Sequence, residues 1–220
     1  PSEQNRTRMF VYFYRNQKEQ GKQTGDVLMK GMEEKLKERT EEKMKETGYS
    51  AMLIANYIVK QSIKKGFSLS DIKLQQLLYL TQVLYLNFHD RRLFVDKIEK
   101  FCTGPAVLEV FNTFDGSRTI ELKCTRDEVV VTEVGDSFQT SIIPYDKKRI
   151  QKMDRRFIKS VLASFGSWPT TQLVDLTTSL PSWKRDVSLI SSGNNRPIYT
   201  DEDMKMDLGK LTMAAFLNYK

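Results

Sequence analysis

The sequence predicts a mainly α fold with a small antiparallel β meander, preceded by an N-terminal extension. Three observations carry this reading. From Tyr49 onward, apolar residues recur at helical spacing through most of the chain. Between Ser117 and Tyr145 the period changes to two, the spacing of strands with one buried face. Before Tyr49 the chain is charge-dense and carries only a thin apolar stripe.

Residues 1–48 read as an arm distinct from a domain over 49–220. Met9 to Tyr14 is a short aromatic run with strand character, and Gly21 and Gly25 mark a loop. From Asp26 to Glu46 the pattern is helical, with i,i+4 acid–base pairs such as Glu33 with Lys37. Its apolar positions, Val27, Met32, Leu36 and Met44, are too sparse for an ordinary core helix. Met32, Leu36 and Met44 are therefore candidates for adaptable contacts with a partner. Folding back onto the domain, or a disordered leader, is the alternative.

Ser50 caps a helix carrying Leu53, Ile54, Tyr57, Ile58 and Ile63, and Gly66 stops it. Ser68-x-x-Asp71 reads as a capping box opening the helix from Ile72 to Leu86. That helix is apolar on most sides, so it is central and buried. Gly104-Pro105 breaks the chain before a helix over Val107–Phe114. Three strand candidates follow, Thr119–Cys124, Glu128–Glu133 and Phe138–Ile143, the last two joined by a turn at Gly135-Asp-Ser. Asp146 reads as the cap of a basic helix with Ile150, Met153, Phe157, Val161 and Leu162 inward, closed by Gly166. A short helix starts at Thr170 or Thr171, Pro181-Ser-Trp183 reads as a turn, and Ser191–Pro197 as a loop. Thr200-x-x-Asp203 is a second capping box, before a helix lined by Met204, Leu208, Leu211 and Ala215.

Composition narrows the function classes. Twelve Phe and 10% aromatics exclude a disordered tail protein. No apolar run approaches about 18 residues, so no membrane partner is expected. Cys102 and Cys124 form no CxxC pair, which argues against a disulfide scaffold and for a reducing cytoplasm. With His89 they are the only soft ligands, at no workable spacing, so neither a metal site nor a cofactor is expected. His89 beside Asp90 has no nucleophile in a recognisable elbow, and no phosphate-binding glycine loop is present. No catalytic residue is therefore assigned. The net charge of +7 is concentrated: residues 146–220 hold 13 basic and 8 acidic side chains. Lys147, Lys148, Arg149, Lys152, Arg155, Arg156 and Lys159 supply most of it, against Asp154 on the same segment. Such a face contacts solvent, phosphates or an acidic protein.

The middle of the chain carries a motif series. Ile54-Ala-Asn-Tyr57 leads into Ile72-Lys-Leu-Gln-Gln-Leu-Leu-Tyr79 and Gln82. Arg92-Leu-Phe94, Ile98-Glu-Lys-Phe101, Gly104-Pro-Ala106 and Glu109-Val-Phe111 follow, then Leu173-Val-Asp-Leu-Thr177 and Pro181-Ser-Trp183. In this order, over residues 50–215, it resembles the Panacea domain, the SocA- or GepA-like antitoxin family of bacteria and phages. The resemblance implies a mostly helical fold with a small sheet, no enzymatic chemistry, and neutralisation of a cognate protein toxin by direct binding. One relative delivers its toxin to a protease as an adaptor, so a protease complex is a further implied partner. Thr178 stands where members of the family often carry His. Lys73, Gln76 and Trp183, within the matched motifs, join the partner-binding candidates. The competing reading makes Lys73, Gln75, Gln76 and Gln82 bond the protein's own backbone, and Trp183 a core anchor. The alternative function is a nucleic-acid-binding regulator using the basic segment 147–159.

Overall fold

A computed structural model describes residues 48–114, 125–134, 137–193 and 196–217, which belong to a unit spanning Thr47–Lys220. The arm with Met32, Leu36 and Met44, the strand expected at Thr119–Cys124 and most of the turn after Val134 lie outside the described residues. Among the described residues the unit is mainly helical, with two small antiparallel two-stranded sheets.

Helix α1 spans Ala51–Lys64. Ser50 Oγ accepts the Leu53 amide at 3.2 Å, and Asp96 Oδ2 accepts the Ala51 amide at 2.7 Å, so two donors freed at the helix start are satisfied. The segment before α1 is clamped in turn: Tyr49 exchanges backbone hydrogen bonds with Leu93 and Val95.

Helix α2, Asp71–His89, is the centre of the unit. Leu74, Leu77, Leu78, Tyr79, Leu80, Val83, Tyr85 and Leu86 are all buried, as an all-round apolar pattern requires. The cap is Ser70, not the expected Ser68. Ser70 Oγ accepts the Lys73 amide, whereas the Ser68 carbonyl receives the Lys73 ammonium. Leu69, between them, is buried.

Strands β1 (Glu99–Phe101) and β2 (Gly104–Ala106) form a tight hairpin that the sequence had suggested only as a break. Lys100 of β1 donates its amide to the Pro197 carbonyl, and the Ile98 carbonyl just before β1 accepts the Tyr199 amide. Helix α3 covers Leu108–Phe114. Strands β3 (Glu128–Val134) and β4 (Ser137–Ile143) pair from Glu128 against Ile143 to Val134 against Ser137.

The basic segment is not one helix. Asp146 Oδ1 accepts the Lys148 amide and closes a 3-10 turn, Lys147–Arg149. Ile150 is then buried in extended backbone, and helix α4 begins only at Lys152 and runs to Phe165. Within α4, Met153 faces solvent and Asp154 is buried, the reverse of the expected stripe. Helices α5 (Thr170–Thr178), α6 (Pro181–Arg185) and α7 (Val187–Ser192) follow. Pro181-Ser-Trp183 thus opens a helix rather than forming a turn, and α7 takes the first part of the expected loop. Helix α8, Asp201–Leu217, starts on the Thr200/Asp203 capping box, each backbone amide meeting the other's side chain. Helices α1, α3, α4, α5 and α8 and strand β2 all pack on α2.

Candidate functional site: buried polar networks and an exposed apolar hairpin

The polar residues of α2 bond the protein itself. Gln82 Oε1 accepts the Leu93 and Phe94 amides, and its Nε2 donates to the Phe94 carbonyl. Gln75 Oε1 accepts the Val107 amide at 2.9 Å. Gln76 Nε2 donates to the Thr103 carbonyl, while its Oε1 accepts the Thr177 hydroxyl at 2.7 Å. Gly104 lies over this pair at φ +103°, and a Cβ there would stand 2.8 Å from Thr177 Oγ1 and 2.9 Å from Gln76 Oε1. Glycine is thus required by both backbone and space.

A second network holds a buried cation. Lys100, with no solvent exposure, donates to Asp186 Oδ2 at 2.5 Å, Asp203 Oδ2 at 2.9 Å and the Ser182 carbonyl at 3.0 Å. Its ammonium also lies 4.7 Å from the Tyr199 ring centroid. Arg185 bridges Asp186 and Asp203 from outside. Hydrogen bonding from Arg185, and then from Lys100, holds the Asp186 carboxyl down to about 2. Alongside, Asp207 accepts the Tyr79 hydroxyl at 2.5 Å and both the amide and the hydroxyl of Ser182. Burial raises the Tyr79 phenol well above its usual range, and nearby Tyr199 and Asp207 add to this. The network joins α2, β1, α6 and α8.

A third network explains why Asp154 turns inward. Its Oδ2 accepts the Tyr49 hydroxyl at 2.6 Å and its Oδ1 the Tyr85 hydroxyl at 2.8 Å. Arg91 donates to the Tyr85 oxygen and stands 4.0 Å from Asp154. The two phenols are pushed up by burial first and then by the Asp154 hydrogen bond.

Outside these networks lies the β3–β4 hairpin. Its register places Val129 opposite Ile142 and Val131 opposite Thr140, with Phe138 two residues further along the same face. Val129, Val131, Phe138 and Ile142 are 54–74% exposed. Four large apolar side chains thus share one solvent-facing side of the sheet. The root is pinned: Glu128 is buried and accepts Arg149 at 2.7 Å.

The residues singled out in sequence do not converge on one site. Lys73 and Gln76 are buried; Lys73 also lines a cleft of about 360 Å³ with Phe67 and Trp168, and burial lowers its pKa. Trp183 is half-buried and donates its indole N–H to the Phe101 carbonyl. Arg149 is paired with Glu128 and Arg155 is half-buried, whereas Lys147, Lys148, Lys152, Arg156 and Lys159 are exposed. His89 and Asp90 are exposed at the end of α2, and Asp90 meets Lys205. Sequence reasoning missed Asp154, Asp186 and Asp207, because their buried partners (Tyr49 and Tyr85, Lys100, Tyr79) lie far along the chain. It also missed the exposure of the hairpin face, since period two marks one face without saying what covers it.

Among the described residues no group of His, Cys, Asp and Glu is arranged to hold a metal, and no helix is long and apolar enough to cross a membrane. No curated protein and no solved structure matches the chain. The family model described as antitoxin SocA-like, Panacea domain, matches residues 74–184, from the first turn of α2 into α6. That span takes in Gln75, Gln76 and Gln82, Gly104 and Thr177, Lys100 and Ser182, together with the hairpin. An antitoxin family suggests a non-catalytic role and implies a toxin as partner. Half of the sequence is thereby matched, and the chain belongs to the SocA-like antitoxin family with its Panacea domain.

Proposed function

We propose that this chain neutralises a protein toxin by direct binding, with the β3–β4 hairpin as the docking surface. The exposed apolar face of Val129, Val131, Phe138 and Ile142 carries the reading. A hydrophobic face at the surface gains most when a partner removes it from water. The hairpin can add backbone pairing to a partner strand as well as side-chain contact. Phe138, the most exposed of the four, has the size and rigidity of an anchor residue. The arm is proposed as a second contact, through Met32, Leu36 and Met44.

The test is co-expression with the adjacent reading frame, chosen because it is toxic alone and harmless with this chain. Phe138→Asp and Ile142→Asp, each exposed, should restore toxicity and abolish co-purification while leaving the thermal midpoint unchanged. Full neutralisation by the double variant would refute hairpin docking. Toxin levels separate occlusion from delivery to a protease: occlusion leaves them unchanged, and an adaptor lowers them. Met32→Asp with Leu36→Asp should weaken, without abolishing, the complex.

A further inference from the structure

The surface where α2 ends against α4 combines two features that are separate in the sequence. The first is charge without compensation. Lys147, Lys148, Lys152, Arg156 and Lys159 are exposed, and none has a carboxylate partner among the described residues. The one acid of α4, Asp154, is held inside by Tyr49 and Tyr85 and does not offset them. Lys152, Arg156 and Lys159 follow at i, i+4 and i+7, one stripe along about 10 Å of helix.

The second feature is an exposed ring where α2 meets α4 at Phe157. Phe88 is 68% exposed, at the end of α2. Its ring centroid lies 6.0 Å from that of Phe157 on α4. Phe157 packs edge-on against Tyr85 at 5.2 Å, and the Tyr85 hydroxyl is fixed to Asp154. The ledge is thus held from behind while the ring of Phe88 stays in solvent. Met153 continues the surface towards the charges, with Arg156 Nη1 3.8 Å from its sulfur.

A charge run alone is usually a solvated face, and a lone exposed Phe is ordinary. Together, a backbone-neutralising stripe and a fixed stacking ring are what an unpaired nucleic-acid strand needs. We propose that this chain also binds single-stranded nucleic acid, with Lys152, Arg156 and Lys159 against the phosphates and a base stacked on Phe88. The ring decides against a purely electrostatic partner, such as an acidic protein or a duplex gripped by its backbone, neither of which requires an aromatic face. The surface shares no residue with the hairpin face, so this binding and toxin neutralisation stand or fall separately.

The experiment is fluorescence anisotropy of the full chain with fluorescein-labelled oligothymidylate and oligouridylate across a salt series. Saturable binding is expected at about 50 mM salt, with log affinity falling linearly in log salt. The triple change Lys152→Ala, Arg156→Ala, Lys159→Ala should reduce the magnitude of that slope by about 2. Phe88→Ala should weaken binding about tenfold at fixed salt without changing the slope, whereas Phe88→Trp should retain it. The charge of the chain is the same in both Phe88 variants, and the residue is too exposed for either to threaten the fold. Absence of saturable binding would overturn the proposal. So would a Phe88→Ala protein with unchanged affinity, which would assign the surface to charge alone.

Discussion

Lys100 Nζ and Asp203 Oδ2 lie 2.9 Å apart although 103 residues separate them in the chain, and both side chains are shut away from solvent. A buried cation with two carboxylates and a carbonyl around it is well satisfied, but each member depends on the others. Lys100→Met would leave Asp203 and Asp186 with Arg185 as their remaining cation. A loss of about 3–5 kcal/mol in urea unfolding is expected. An unchanged midpoint would remove the network from the account of stability.

Gly104→Ala tests the contact between β2 and the Gln76–Thr177 pair. The new methyl meets two oxygens below 3 Å, in a backbone conformation that L residues rarely adopt. Destabilisation of about 1–3 kcal/mol should follow. Gly193→Ala is the comparison, because it shares the positive φ but has open space around it. Equal thermal shifts for the two would mean that backbone strain alone, and not the oxygen pair, sets the requirement.

Leu78→Ala removes a fully packed side chain from the centre of α2. A cost of about 2–5 kcal/mol is expected, with neutralisation failing through unfolding rather than lost contact. Calorimetry of the purified variant checks this, and an unaltered melt would displace α2 from the middle of the core.

Stability should fall at both ends of the pH scale. Asp186, held down to about 2 by Arg185 and Lys100, stabilises the fold above its ordinary value of 3.8. That contribution is lost as pH drops from there towards 2. Burial raises the phenols of Tyr49, Tyr57, Tyr79, Tyr85, Tyr145 and Tyr199, Tyr145 to about 12. Their contribution is complete below 10.0 and lost progressively above it, since the unfolded chain ionises first. Asp96 and Glu109 are raised by burial and act in the opposite sense in acid. The readout is therefore the difference from Asp186→Asn, which should have a flatter acid limb, and from Tyr79→Phe, which should have a flatter alkaline one. Melting curves of these variants that parallel the parent at every pH would contradict the assignment.

The helices were legible wherever apolar residues kept the 3.6 period, as in α1, α2 and α8, and the hairpin wherever they kept period two. The polar Gln75, Gln76 and Gln82 on an apolar helix already announced internal hydrogen bonding. Strands β1 and β2, at three residues each, are too short to have a period. Met153 and Asp154 were exchanged because side-chain apolarity favours Met for the core, while the hydroxyls that repay Asp come from Tyr49 and Tyr85, far away in sequence. Asp203 was read as a helix cap, which it is, and that local role concealed its distant one with Lys100. Phe88 lies past Leu86, where the pattern ended the helix, and period alone did not show that its ring is exposed.

The position of Asp203 and Asp207 on α8 bears on how the protein is born. While the ribosome is still making α7, every earlier element has been synthesised, yet Tyr79 and Ser182 lack their shared carboxylate and Lys100 has Asp186 alone. A nascent chain at that stage has a cation with one of its two carboxylates and two unanswered hydroxyls, where the completed domain has a sealed seam. Closure of that seam therefore waits until α8 has been made.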